Sequence, residues 1–261
     1  GVLQEPDHLM PIIAALRIKN EARWIEQVIR SIQPICPTVL VLDDHSTDGT
    51  PEIVESLGAT VFRSTFEGLD EARDKEFLLD RTIEAIPADY RSYLDGVPSS
   101  PWWCLAIDGD EVLAPGDGAL LEQLIEGDSH VYSLRVLYLW NSERLVRTDG
   151  VYKTFRRPSL FRLMNRAFRY QRTPWGNGAN FHCSNIPQEL LHHSTPCEAR
   201  LLHYGYLHRE DRVRKYEWYN SIDPNNSAED GYRHIVQGDV PDVPADARLR
   251  WAGPLVLEAI A

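Results

Sequence analysis

The sequence predicts an α/β fold with a mostly parallel sheet covered by helices on both faces, and three observations carry that prediction. Short apolar runs alternate with helical patterns three times in the first half of the chain, the signature of βαβ crossovers. The runs are too short for helices and rich in β-branched residues. Two of them end in acidic clusters, Asp43-Asp44 and Asp108-Gly109-Asp110, and ligands bind beyond the carboxyl ends of strands in such sheets.

Taken in order, Pro11 to Ile18 reads as a buried strand, with Asn20 placed to cap a helix in which Ala22, Ile25, Val28, Ile29 and Ile32 share a face. Pro34 and Pro37 end it. Thr38 to Leu42 is a second strand leading into Asp43-Asp44-His45-Ser46-Thr47-Asp48-Gly49. Thr50 caps a short helix with Pro51 at its first position and Gly58 beyond its end. Thr60 to Arg63 is a third strand, and a helix is expected from about Asp70 to Ile86. The apolar run Trp102 to Ile107 is the strand that carries Asp108-Gly109-Asp110. If the extended chain continues, residues two apart share a face, so both carboxylates converge on one cation. Gly109, lacking a Cβ, lets a ligand approach the backbone. Past Glu126 the alternation stops. Val131 to Trp140 reads as one long strand, Thr173 to Ser184 as a Gly/Asn-rich loop, and Asp239 to Ala261 as a Pro-rich segment wrapping the surface.

The chain has 261 residues, 43% of them hydrophobic and 25% charged, the composition of an ordinary globular protein. A net charge of −12 argues against nucleic acid or anionic membrane as partner. Ten basic residues nevertheless fall between Arg135 and Arg172 against Glu143 and Asp149 alone, a stretch suited to an anion or to a solvated face. No apolar run has transmembrane length, and the first residues show no secretory leader. With four cysteines and no C-x-x-C pair, the expectation is a cytoplasmic protein with reduced thiols.

Three stretches resemble the family 2 glycosyltransferases: Ile18-Lys19-Asn20-Glu21 after the first strand, Val41-Leu42-Asp43-Asp44-His45-Ser46-Thr47-Asp48-Gly49-Thr50, and Ile107-Asp108-Gly109-Asp110-Glu111, which is similar to the D-x-D motif. Their order and spacing fit, and the match ends near Glu126. The resemblance implies a GT-A-type, Rossmann-like fold with a nucleotide-sugar-binding half (residues 1–126) and an acceptor-side C-terminal region (127–261). It also implies an inverting, metal-dependent hexosyltransferase that moves a sugar from a nucleotide diphosphate sugar, with UDP the expected nucleotide, to a carbohydrate, peptide or small-molecule acceptor. Residue by residue, Asp43 or Asp44 would meet the nucleobase, Leu16 and Arg17 would line its pocket, and Arg73 would lie beside the nucleotide. Asp108 and Gly109 would contact the donor. Asp108, Asp110 and His203 would hold Mn²⁺ or Mg²⁺. Lys153, Arg156 and Arg157 are candidates to neutralise the departing diphosphate. For the general base, Glu189 is preferred, with Asp149 and Glu143 as rivals. Trp175 is a candidate for stacking on an acceptor sugar.

Other readings keep the same fold. A sugar nucleotidyltransferase normally opens on a Gly-rich phosphate loop, and Ala14-Ala15-Leu16-Arg17 has no glycine. A dinucleotide oxidoreductase lacks its G-x-G-x-x-G. A catalytically inactive, glycosyltransferase-like binding protein would not need all four of Asp43, Asp44, Asp108 and Asp110.

Overall fold

The computed structural model describes residues 11–95, 100–171, 183–223 and 230–260. Strand β1 (Ile12–Ile18) pairs in parallel with β2 (Thr38–Asp43) and β4 (Trp103–Ala106), and β2 pairs in parallel with β3 (Thr60–Arg63). This parallel half is the one set by the strand–helix alternation. Beyond β4 the sheet continues through β8 (Arg156–Arg162), β6 (Val131–Tyr138), β9 (Ser194–His203) and β5 (Glu111–Leu113), giving the order β3-β2-β1-β4-β8-β6-β9-β5. Within it β6 and β9 are parallel and the other three pairings antiparallel. One sheet therefore runs through both halves of the chain.

Alternation along β1 explains the two cores. Ile12, Ala14, Leu16 and Ile18 pack against helices α1 (Ile25–Ile32), α2 (Thr50–Ser56) and α4 (Asp117–Ile125) on one face. Ile13 and Ala15 pack against α3 (Glu71–Ala85) on the other. Arg17, in phase with Ile13 and Ala15, emerges on the α3 face, where the sheet opens to solvent. Asp70 caps α3, its side chain accepting from the Arg73 N–H at 2.9 Å.

Two caps differ from expectation. Asn20 adopts φ +55° and does not cap α1, which begins at Ile25. Instead its N–H donates to Ser46 Oγ (2.8 Å) and its Oδ1 accepts from the Thr47 N–H (2.8 Å), lacing the β1 exit to the β2 exit. Asn tolerates that left-handed backbone because its short polar side chain bonds locally. Gly49, at φ +84°, takes the cap position of α2, with Thr50 as the first helical residue.

Beyond α5 (Arg209–Ile222) the chain wraps back and closes with β10 (Leu257–Ala259) antiparallel to β7 (Leu145–Arg147). The fully buried Arg147 organises this return. It donates to both oxygens of Asp149 (2.8 and 2.9 Å), to the His234 carbonyl (2.6 Å) and to Gln237 Oε1. Burial, then the Arg147 charge, push the His234 pKa from 6.5 down to about 4. The neutral imidazole is thus the folded form. Its contribution is fully present above pH 6.5 and is lost as pH falls toward 4. We expect about 2–3 kcal/mol of stability to disappear across that window, measured as the denaturation midpoint against pH. A His234→Gln variant should flatten that loss, and an unchanged slope would refute the assignment.

Candidate active site

The carboxyl ends of β1, β2 and β4, the β5 turn, the end of β9 and helix α5 enclose one cleft of about 850 Å³, the size of a ligand pocket. It has one end built on Arg17 and Asp44 and another built on the D-G-D turn.

At the first end Asp44, just past β2, accepts from Arg17 Nη2 at 2.7 Å and lies 3.5 Å from Lys19 Nζ. Arg17 Nε donates to the buried Asp74 of α3 at 2.8 Å, which fixes the guanidinium in the cleft wall. Asp43 is turned away. It is 3% exposed and outside the lining, accepting from the Ser46 N–H at 3.2 Å, with Oδ1 making no hydrogen bond among the described residues. Leu16 is likewise in the core, because alternation sends it to the face opposite Arg17. Arg73 does not line the cleft. It bonds Asp74 and the carbonyls of Glu67 and Gly68 (3.0 and 2.9 Å), stacks on Phe66, and so holds the loop whose Gly68 and Leu69 do.

At the second end the strand geometry assumed for D-G-D is replaced by a turn. β4 stops at Ala106, and the Glu111 N–H bonds the Asp108 carbonyl at 3.1 Å. The carboxylates therefore diverge. Asp108, whose side chain is 45% exposed, accepts from Arg157 Nη1 at 2.8 Å, and Arg157 also bonds the buried Glu111. Asp110, 4% exposed, accepts from Lys215 Nζ at 2.5 Å and lies 3.4 Å from His203 Nδ1. Gly109 lines the cleft, but a Cβ there would lie 2.8 Å from Ile18 Cγ2 and 2.9 Å from Glu21 Cγ. Packing, as much as ligand approach, requires the glycine.

Register explains why His203 is present. β5–β9 pairing sets Glu111 opposite His203, and β6–β9 pairing sets Tyr138 beside it. The rings of Tyr138 and Tyr206 meet His203 edge-on, each with centroids 4.8 Å away. Burial opposes ionisation of Asp110, but His203 and Lys215 outweigh it and hold its pKa well below the usual carboxylate range. Burial, then the Asp110 charge, push Glu21 the other way, up to about 8.

These residues fit a divalent cation of one particular kind. Among the described residues no three His, Cys, Asp or Glu side chains form a metal cage. Asp110 and His203 do form a pair, with the buried His203 Nδ1 3.4 Å from Asp110 Oδ1 and, among the described residues, making no hydrogen bond. Mg²⁺-type sites commonly use one or two protein ligands and take the rest from substrate phosphates and water. Asp108, committed to Arg157, is not convergent with them.

None of the three candidates for the general base lines the cleft. Glu189 is exposed and outside the cleft lining, where it accepts from the Arg169 N–H at 3.1 Å. Asp149 is the buried partner of Arg147. Glu143, Lys153 and Arg156 also lie outside the lining, and Arg156 instead reaches the Cys197 carbonyl and Glu198. Trp175 lies outside the described residues. Sequence reasoning missed Glu21 as a cleft carboxylate, and it missed Lys215, Arg214 and the aromatic pair Trp218 and Tyr219 on α5. No motif marks α5. Only its place after the histidine could have directed attention there.

Residues 16–78 match the model of "Glycosyl transferase family 2". Over 50 residues, 19% of this chain, the sequence is 50% identical to an uncharacterized glycosyltransferase of Rickettsia bellii, of which the match spans 17%. Over 230 residues it is 23% identical to the lipopolysaccharide core biosynthesis glycosyltransferase LpsC of Rhizobium meliloti, covering 86% of this chain and 74% of that protein. The S. aureus TarS crystal structure superposes on 78% of this chain at a TM-score of 0.46 and 14% identity, with 39% of TarS matched. Among the described residues no helix is long and apolar enough to cross a membrane.

Proposed function

We propose that the chain carries a family 2 glycosyltransferase domain of GT-A type, and that its cleft transfers a sugar from a nucleotide diphosphate sugar to a carbohydrate hydroxyl with inversion. The observation that carries this reading is that Asp44–Arg17 and Asp110–His203, far apart in sequence, face one cleft beyond the strand ends. UDP is the donor nucleotide we favour, since the Asp44 carboxylate can accept from a pyrimidine N–H. The carbohydrate acceptor is supported by the name of the LpsC relative and by aromatic faces on the acceptor side, where Trp218 is 43% exposed. The division at residue 126 would separate the nucleotide side from the acceptor side of this single sheet.

In this mechanism Arg17 and Asp44 anchor the nucleoside, placing the diphosphate toward Asp110. Asp110 and His203 would hold Mn²⁺ or Mg²⁺, which as a Lewis acid stabilises the charge growing on the diphosphate. Arg157, fixed by Asp108 and Glu111, points a preorganised guanidinium into the same region and needs no reorganisation as that charge develops. Tyr138, Tyr206 and Trp24 give the cleft apolar walls, which limit water and strengthen these electrostatic contacts. The acceptor oxygen attacks the anomeric carbon from the face opposite the leaving diphosphate, losing its proton to a base other than Glu189 and Asp149, which lie outside the cleft lining.

Thermal shift with UDP and Mn²⁺ tests the reading. Ligand at a hundredfold excess over Kd stabilises by about 2.7 kcal/mol, so the melting temperature should rise roughly 5–10 °C. EDTA should abolish the rise, and Asp44→Asn should reduce it. If no nucleoside diphosphate shifts the melt with Mn²⁺ and no sugar nucleotide is hydrolysed or consumed, the reading fails.

A further inference from the structure

Lys215 has no place in the motifs that define the cleft, yet it makes the shortest contact to its central carboxylate. It is 105 residues from Asp110 in sequence, and its Nζ lies 2.5 Å from Asp110 Oδ2 with the side chain 22% exposed. Arg157 is occupied by Asp108 and Glu111. Lys215 is therefore the permanent cation that meets Asp110 among the described residues, with His203 Nδ1 3.4 Å from the other oxygen. The backbone is shaped around this pair. A Cβ at Gly205 would collide with both Asp110 Oδ2 and Lys215 Nζ, so the glycine leaves room for a cation on that oxygen.

A buried carboxylate needs a counter-charge, and an ammonium on Oδ2 of Asp110 repels a divalent ion on Oδ1, the oxygen that faces His203 Nδ1. The two groups differ in what else they bind. Asp110 and His203 alone offer a divalent ion too few ligands, whereas a diphosphate brings the missing oxygens. Lysine is a compact point charge with three donors on a flexible stem, able to move from a carboxylate to a phosphate nearby. We propose that Lys215 is a displaceable counter-ion: it holds Asp110 in the free protein, gives way when a divalent cation arrives with the donor diphosphate between Asp110 and His203, and then pairs with the diphosphate itself. The inference rests on reading the cleft as a nucleoside-diphosphate site. It makes bare metal a poor ligand and the metal–nucleotide complex a good one.

Mn²⁺ binding, followed by loss of the free-ion EPR signal, tests it without any turnover. Without nucleotide, Lys215→Met should bind Mn²⁺ at least tenfold more tightly than the wild type, because the competitor is gone. With UDP present, the variant should bind Mn²⁺–UDP more weakly than the wild type. Unchanged Mn²⁺ affinity in nucleotide-free Lys215→Met overturns the proposal while leaving the cleft assignment standing, provided the wild type binds Mn²⁺ with UDP. Failure of the wild type to bind Mn²⁺ with UDP, GDP, CDP or dTDP removes the cleft assignment as well. Should Lys215→Met not fold, the wild type itself serves, with its lysines ¹³C-methylated. The Lys215 NMR signal, assigned by its absence in Lys215→Arg, should move on adding Mg²⁺ with UDP. A signal that stays in place overturns the proposal.

Discussion

Asp110→Asn is expected to lower sugar transfer at least a thousandfold and to remove Mn²⁺-dependent UDP binding, while the protein stays folded. The substitution preserves shape and takes away the charge on which His203 and Lys215 converge. If this carboxylate holds the cation that stabilises the leaving diphosphate, its loss removes several kcal/mol of transition-state stabilisation, and about 4 kcal/mol corresponds to a thousandfold. Asp108→Asn should cost much less, because that side chain is half-exposed and tied to Arg157. The measurements are transfer rate, UDP affinity with and without Mn²⁺, and circular dichroism for the fold. Transfer within tenfold of wild type, or unchanged Mn²⁺-dependent affinity for UDP, would refute the role of Asp110.

How far the site was legible depended on whether a residue's position follows from local pattern. The parallel half of the sheet was readable because β-branched runs and helical spacing are local signals, and Arg17 follows from the same alternation that buries Leu16. Choosing Asp44 over Asp43 was not possible from the motif, since the strand ends between them and one residue of offset decides which carboxylate lines the cleft. The D-G-D geometry was misjudged for a related reason. Period-two alternation holds only while the chain is extended, and here β4 ends two residues early and the backbone turns. His203 was found through the resemblance, but what holds it beside Asp110 is antiparallel pairing between β5 and β9, a non-local contact invisible to any window. Glu189 failed because distance along the chain says nothing about where a loop returns. Lys215 could not be found at all, since its partner lies 105 residues away.

The largest expected loss of stability lies at Arg212, through which α5 is joined to the rest of the site. Its side chain is fully buried, with Nε and Nη2 on the two oxygens of Asp239 (2.6 and 2.8 Å) and Nη1 on the carbonyls of Tyr206 and Leu207 (2.7 and 3.0 Å). A further bond reaches Asn141 Oδ1 at 2.8 Å, and the guanidinium lies 4.3 Å from the Trp140 ring centroid. Arg212→Met leaves Asp239 as an uncompensated, nearly buried charge and strips donors from two carbonyls, a change that costs about 3–5 kcal/mol. The melting temperature should fall by roughly 10 °C. Pairing it with Asp239→Leu should recover part of the loss, because apolar replacement of both partners is often close to neutral. The same substitution loosens the Tyr204–Leu207 turn, which sets Gly205 against Asp110 and Tyr206 against His203. Folded Arg212→Met should therefore bind Mn²⁺–UDP more weakly than wild type. A melting temperature within about 2 °C of wild type would show that the buried cluster is not what anchors α5, and the coupling between tail and site would fall with it.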